Sequence, residues 1–530
     1  MGAFNFIVFL GFTALVAILS YYWTKGTDEH HSEGYFLGGR SLTAPVIAGS
    51  LLLTNLSTEQ IVGLTGQAYS EGILVMAWET LAAIAMVVTA LVLLPRYLRS
   101  GISTIPGFLE QRYDAQTKTI TSLLFLSGYV IVLLPIVLYS GALAMSTMFD
   151  VPAVLGVGET AALWITVWAI GIVGSIYAIF GGLKAVAVSD TINAVGLFIG
   201  GLLIPVFGLM AIGGGSVFEG ISVLWTENPE KFEAIGGRDS SIPFATIFTG
   251  MMLVQLFYWG TNQAIIQRAL GARDLQEGQK GLIFAAVLKI FGPIIVVLPG
   301  IIAWHLFQGE LEVADQAYPR LVTEVLPFWL RGFFAAVLFG AILSSFNSAL
   351  NSSVTLFGVD IYRQYFRPEA SDEQVVAAGK NFGWLLAIAS MTIAPFIAKA
   401  PQSLFGYLQE VNGCYSIPIL TIILVGVFTR HVPPIAAKIG LASGVGLYIL
   451  SQFGLKNIVG AESYPHFLNV MAILFVMNVC IMLWIGKMRP MRPEYEARDS
   501  RAVDMTPWAA AKPAGAAIVA IVCSTYFIFT

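Results

Sequence analysis

Charge is what this sequence has least of. Only 11 % of its 530 residues are Asp, Glu, Lys or Arg, against 57 % apolar. A soluble chain carries about a quarter charged residues, so an array of soluble domains is excluded and a polytopic membrane protein is expected. The net charge of −4 comes with no basic run, which removes the footprint of nucleic-acid binding. Cysteine is nearly absent. Cys414, Cys480 and Cys523 lie in apolar stretches without ligand spacing, and read as packing residues, neither disulfides nor a metal site. His30-His31 falls in a short polar linker and reads as solvated loop. The start has neither a basic n-region nor a small-residue cleavage site before the apolar run 4–23. An uncleaved first membrane helix is expected there, not a secretory signal. With no catalytic dyad and no nucleotide-binding loop, no enzyme is expected.

What the chain has is apolar runs of about 18 residues or more. They fall at 4–23, 44–70, 72–94, 119–148, 160–180, 185–212, 243–271, 277–304, 332–366, 374–398, 402–429, 434–453, 466–486 and 513–530. The expectation is an all-α fold of about fourteen transmembrane helices. Most of the 28 Lys and Arg fall in alternate loops, from Lys25 and Arg40 through Arg96, Arg112, Lys118, Lys184 and Arg268 to the group 487–512. The positive-inside bias makes that side cytoplasmic and both termini external, in a bacterial inner membrane. The two longest external loops, 213–242 and 305–331, are acidic and punctuated by Gly and Pro, and are expected to cap the outer mouth.

Two segments have polar centres: Thr54, Asn55, Ser57, Thr58, Glu59 and Gln60 in one, Gln255 and Gly260 to Gln263 in the other. Such centres are costly in lipid unless buried in protein or lining a cavity. Each opens a run of five segments, 44–212 and 243–429. A five-helix unit crosses an odd number of times, so its second copy inserts upside down. Interrupted helices at matching positions then point to a midplane site between inverted repeats; ordinary polar helix contact is the plainer alternative. The division expected is a leading helix and linker (1–43), the first repeat (44–212), an external loop (213–242), the second repeat (243–429) and three peripheral helices (430–530). Glu79 and Lys289 lie inside helices at roughly 2.5–3.5 kcal/mol each on insertion scales. They form a functional site or a salt bridge that only locks two helices. Asp190 reads as a gate residue or an interfacial one. In 332–366, residues Ala341, Ser344, Ser345 and Ser348 share one helical face. Small hydroxyl residues there suit close helix packing or a seat of hard oxygens for a small cation.

The stretches Tyr35-Phe36-Leu37-Gly38-Gly39-Arg40-Ser41-Leu42, Tyr177-Ala178-Ile179-Phe180-Gly181-Gly182-Leu183, Tyr258-Trp259-Gly260-Thr261-Asn262-Gln263 with Ile266-Gln267-Arg268, and Ser344-Ser345 through Asp360-Ile361-Tyr362 together resemble the sodium:solute symporter family. Within it the chain looks most like the sodium/glucose–galactose cotransporters. The resemblance covers nearly the whole chain. It implies the five-plus-five inverted-repeat fold shared with the bacterial leucine transporter, and alternating access. It implies one Na⁺ site made by the carbonyls of Leu53, Leu56 and Ala341 and the hydroxyls of Ser344 and Ser345. For a sugar, the matching positions are Gln60, Glu79, Gln255, Tyr258, Lys289 and Gln409, with Asn55 fixing Tyr258 or touching the sugar. Leu64, Trp78 and Phe405 match an outer hydrophobic gate and Tyr258 an inner one. Two positions depart from the sugar-transporter pattern: Gln255 stands where Asn is common, and Ala82 where a hydroxyl residue is usual.

The function expected is sodium-coupled symport of a galactose- or glucose-like hexose into the cell, with the lipid bilayer as the only other partner. The alternatives are another small solute (amino acid, carboxylate or sialic acid), a membrane sensor, or an ion channel. Glu79 offsets Lys289, which disfavours a carboxylate. A sensor needs a fused output domain, and none is expected after the last helix. A channel needs a pore more uniformly polar than these isolated belts.

Overall fold

Helix is the only way an unpaired segment satisfies its backbone within lipid, and this chain takes it throughout. The structure, a computed structural model, describes residues 2–25, 31–311, 313–399, 404–460 and 463–529. His30 and the first two residues of the expected span 402–429 lie outside them. The helices that matter below are α1 (Ala3–Thr24), α2 (Ala44–Asn55), α3 (Thr58–Glu71), α4 (77–100), α5 (Ile105–Arg112), α6 (Ala115–Phe149), α7 (Glu159–Ile212), α8 (Gly250–Gly260), α9 (Gln263–Leu270), α10 (Leu275–Phe307), α11 (Arg331–Thr355), α12 (Asp372–Ile393), α13 (Leu404–Phe428), α14 (Pro434–Ile449), α15 (Phe467–Met488) and α16 (Ala511–Ile528). Among the described residues there is no strand, only one parallel bridge, Leu42 with Ala272.

Eleven of the described helices are long and apolar enough to cross a membrane, or twelve if the bent pair that ends in α9 counts as one span. The fourteen expected spans are therefore not matched one for one. The expected pair 160–180 and 185–212 runs together as α7, yet the helix breaks at Gly182, whose φ of 58° and ψ of −172° no helix contains. Glycine tolerates that backbone without a Cβ penalty.

Two helices of the core are broken, α2/α3 and α8/α9. Helix starts at the loop ends carry acidic or hydroxyl caps. Asp114 accepts from Thr117 N, Asp274 from Glu277 N, and Ser371 forms a reciprocal box with Gln374, which satisfies amides that no helical carbonyl reaches.

Several basic residues expected in loops are buried instead. Arg112 is fully enclosed and donates to the carbonyls of Gly426, Thr429 and Val432, in the last turn of α13 and just beyond it. Lys118 pairs with Glu110 at 2.9 Å and lies 3.8 Å from buried Asp360. Lys231, on the loop after α7, donates to Tyr69 O and Ser70 O at the end of α3 and sits 3.8 Å over the Trp304 ring. Cys480 and Cys523 are exposed on helix faces and so are not packing residues; Cys414 alone is partly buried against the core.

Between α15 and α16 the chain runs without helix across the ends of four other segments. Met491 N donates to His431 O, Tyr495 N to Arg430 O, Ser500 N to Arg99 O and Trp508 N to Gln279 Oε1, while Asp504 O accepts from Leu275 N. Val503, Met505 and Trp508 turn inward onto the core.

Candidate functional site

The first break follows from backbone pairing. Leu56 N still reaches Leu52 O, but Leu56 has ψ of 59° and Ser57 N turns back to Asn55 O. The carbonyls of Leu53 and Leu56 are thereby released from the helical ladder, and both residues are fully buried. Facing them, α11 presents Ser344 and Ser345. The Ser345 hydroxyl donates to Thr54 O at 2.8 Å, and Ser344 and Ser348 pair with the Thr54 hydroxyl at 3.4 and 3.1 Å. Carbonyls and hydroxyls make a hard, all-oxygen set that fits a small monovalent cation. Ala341 is buried in an unbroken stretch of α11. Its carbonyl stays within the helical ladder, and has only its second lone pair to offer.

Next to this seat lies an ionic lock. Asp190 Oδ2 accepts from the Ser50 hydroxyl at 2.6 Å and lies 3.9 Å from Arg268. Arg268 Nε donates to Ser50 Oγ at 2.9 Å, and its other nitrogens reach Ser348 Oγ and Ala264 O. Arg268 was expected in a cytoplasmic loop; it is 1 % exposed, and joins α2, α9 and α11 around one guanidinium. Asp190 is likewise buried, not interfacial.

The second break is held by Asn262. Its Oδ1 caps α9 by accepting from Ala264 N and also accepts the Tyr129 hydroxyl at 2.7 Å. Gln263 and Gln267 tie α9 outward, through Ile105 N and through Thr355 and Ser352.

A continuous polar chain crosses the core on the other side of the first break. Asn55 Nδ2 donates to Gln60 Oε1 at 3.4 Å, Gln60 Nε2 to Glu79 Oε1 at 2.7 Å, and Lys289 Nζ to Glu79 Oε2 at 2.5 Å. Lys289 stands 5.8 Å from the Trp259 ring centroid. Trp259 Nε1 donates to Gln255 Oε1 at 3.1 Å, and Gln255 Nε2 to Trp78 O at 2.8 Å. Tyr258 lies half-buried beside Asn55. Gln409 is half-buried on α13 and joins none of these bonds. Leu64, Trp78 and Phe405 are buried, and the Trp78 and Phe405 rings meet edge to face at 5.2 Å.

Sequence reasoning missed Thr54, Trp259, Arg268 and Gly292 as parts of this arrangement. Thr54 was visible within a polar centre, and Arg268 in the motif that ends α9. Gly292 matters by what it lacks: a Cβ there would overlap the Glu79 carboxylate.

Residues 35–444 match the sodium:solute symporter family. The chain is 47 % identical over 526 residues to an uncharacterised symporter, YidK, of Escherichia coli, covering 99 % of this chain and 91 % of that one. It is 35 % identical to the sodium/glucose cotransporter of Vibrio parahaemolyticus over 81 % of both chains. It is 28 % identical to human sodium/myo-inositol cotransporter 2, over 80 % of this chain and 66 % of that one. In fold it is similar to a Na⁺-coupled sialic acid symporter in its substrate-bound outward-open state, with a TM-score of 0.77 at 19 % identity over 93 % of this chain and 99 % of that one. It is also similar to Mhp1, a nucleobase-cation-symport-1 family transporter, with a TM-score of 0.56 at 14 % identity over 87 % of this chain and 96 % of that one. With a broken helix and α11 forming an all-oxygen seat, and with this match along most of its length, the chain belongs to the sodium:solute symporter family and is a multi-pass membrane protein that couples the movement of a solute to sodium.

Proposed function

We propose that the solute is a neutral hexose, of the galactose or glucose kind, carried into the cell with sodium. The observation that carries this reading is Glu79 held between Gln60 and Lys289. The ammonium is cancelled by its carboxylate, so the cluster offers amides and a balanced ion pair in place of net positive charge. Hydroxyls need many donors and acceptors, and a carboxylate solute needs a free cation. The similarity to a sodium/glucose cotransporter and a sodium/myo-inositol cotransporter supports a polyol.

In this reading Gln60, Glu79, Gln255, Lys289, Gln409 and Asn55 bind the sugar, and Tyr258 stacks on it and closes the inner side. Leu64, Trp78 and Phe405 close the outer side. Sodium at Leu53, Leu56, Ala341, Ser344 and Ser345 braces the broken helix α2/α3 against α11 before the sugar enters. One charge moved through about 100 mV contributes about 2.3 kcal/mol. The repeats are 44–212 and 243–429. Both termini are external, in a bacterial inner membrane. Contacts between loops support that orientation. Asn5 Oδ1 accepts from Gly332 N, directly after the expected external loop 305–331, and Phe529 O accepts from Ala234 N within the expected external loop 213–242. Loops expected to be cytoplasmic pair with one another, as Ser500 does with Arg99 and Ser32 with Asp372.

The test is radiolabelled uptake into proteoliposomes of galactose, glucose, mannose, proline and sialic acid, with and without an inward sodium gradient. Sodium-dependent hexose uptake is expected. Sodium-dependent uptake of proline or sialic acid alone would discard the sugar and keep the cation seat.

A further inference from the structure

The loop 213–242 is expected to cap the outer mouth, yet Val217–Glu227 within it forms a helix of 11 residues laid against the end of α7. At about 100° per residue this helix divides into three faces. Gly220 and Leu224 face the protein and are buried, and a Cβ on Gly220 would strike Leu209 O of α7. Glu219, Ser222 and Thr226 form an exposed polar face. Between the two runs an apolar stripe, Phe218, Ile221 and Trp225, at 85, 46 and 47 % exposure. A helix with one such stripe and one polar face lies in the plane of a bilayer surface, its apolar side sunk about 5–10 Å into the boundary of headgroups and acyl chains.

The depth is right for that. The part of α7 after its break, 183–212, is about 45 Å long, against a hydrocarbon core of about 30 Å. Shared between its two ends, the surplus puts the last turn, with Leu209, at the level of the headgroups. The rotation of the helix is also fixed, so the stripe is presented and not merely uncovered. Asn228 Nδ2 lies 3.0 Å from His305 Nδ1, and Lys231 donates to Tyr69 O and Ser70 O at the C-terminal end of α3.

The stripe continues a surface that already faces lipid. The Trp225 ring lies 6.1 Å from that of Phe529, just after α16, where Phe527 and Ile528 are 84 and 64 % exposed. Charge decides the kind of lipid. The polar side carries Glu219 and Glu227, and no Lys or Arg occurs between Lys184 and Lys231. Attraction to anionic headgroups is therefore absent, and apolar insertion is what holds the helix.

We propose that the helix 217–227 is an interfacial membrane anchor, with Phe218, Ile221 and Trp225 inserted into the leaflet at which α7 ends, in zwitterionic lipid as well as anionic. It ties to the bilayer the same loop that, through Lys231, holds the end of α3.

The test is electron paramagnetic resonance on the full chain carrying Cys414→Ala, Cys480→Ala and Cys523→Ala, with one new cysteine spin-labelled at a time. The chain is placed in nanodiscs of phosphatidylcholine, and separately of phosphatidylcholine with phosphatidylglycerol. Labels at Phe218→Cys, Ile221→Cys and Trp225→Cys are expected to meet dissolved oxygen several-fold more than a water-soluble nickel chelate in both lipids. Labels at Glu219→Cys, Ser222→Cys and Thr226→Cys are expected to do the reverse. Nickel access at all six positions overturns the anchor. So does exclusion of both reagents along the stripe, which marks a protein partner or a second copy of the chain. Should the cysteine-free chain fail to fold, wild type and Trp225→Phe are compared in vesicles of phosphatidylcholine brominated high on the acyl chain. Wild type is expected to lose the larger share of its fluorescence to bromine that Trp225 supplies; quenched emission of equal size in the two chains overturns the proposal.

Discussion

Lys289 Nζ lies 2.5 Å from Glu79 Oε2, with the two side chains 1 % and 0 % exposed. The pair joins α10 to α4, and Gln60 from α3 takes the carboxylate's other oxygen. Breaking a buried pair strands a charge and costs about 3–5 kcal/mol, whereas removing both ends is far milder. Glu79→Gln and Lys289→Met are each expected to lower the thermal midpoint in detergent and to abolish uptake. The double variant Glu79→Gln/Lys289→Met is expected to melt above the less stable single one, with uptake still absent. Equal additivity of the two losses would show that the charges do not depend on one another.

Gly292→Ala tests the same carboxylate without touching it. The new methyl would occupy the place of Glu79 Oε2. Glu79 must then rotate and give up Gln60 or Lys289. Uptake is expected to fall at least tenfold, the equivalent of about 1.4 kcal/mol, while Ser345-dependent sodium binding stays as in wild type.

At the cation seat, Ser345→Ala removes one hydroxyl that also donates to Thr54 O. One lost oxygen contact is worth about 0.5–1.5 kcal/mol. The sodium concentration for half-maximal uptake is expected to rise by about three- to tenfold. Ser345→Thr keeps the hydroxyl and is expected to restore most of the affinity. An unchanged sodium dependence in Ser345→Ala would remove this hydroxyl from the seat.

Arg112 separates stability from transport. Its guanidinium serves three carbonyls in the last turn of α13 and just beyond it, so Arg112→Met leaves them without that donor. Loss of a buried network of this kind costs several kcal/mol, about 2–4. The yield of folded protein and its thermal midpoint should fall, and uptake per folded molecule should not.

His466, at the start of α15, gives a pH signature through its burial. Its folded value, about 4, lies below the ordinary value of 6.5. Between those values the unfolded state binds the extra proton, so stability is full above about pH 6.5 and declines as pH falls toward 4. The thermal midpoint of wild type is expected to drop more between pH 7.5 and 5 than that of His466→Gln.

The broken helices were legible because polar atoms in an apolar run need a partner, and Thr54 to Gln60 announce that need. Glu79 and Lys289 were legible for the same reason, and the structure pairs them directly. Arg268 was not. An arginine beside a loop counts toward the cytoplasmic side whether it points to water or into protein, and only Ser50, Ser348 and Asp190, brought in from three distant segments, show that it is buried. Gly292 was invisible because its role is an empty volume. The expected division of 160–180 from 185–212 was legible in the Gly181-Gly182 pair and Lys184, and the long helix α7 breaks its backbone there, at Gly182.

The crossing segment between α15 and α16 has a mechanical corollary. Its residues 496–502 are exposed, while Ser500, Asp504 and Trp508 are fastened by backbone bonds to Arg99, Leu275 and Gln279. At its far end, α16 is fastened again. Tyr526 pairs with Thr80 at 3.1 Å and Phe529 O accepts from Ala234 N, while near the start of the helix Gly515 sits against Val87. A single protease cut at 496–499 therefore severs the chain without releasing the piece. The two fragments would travel together through purification and part only under denaturant, so the last helix belongs to the body as a docked part and not as an appendage.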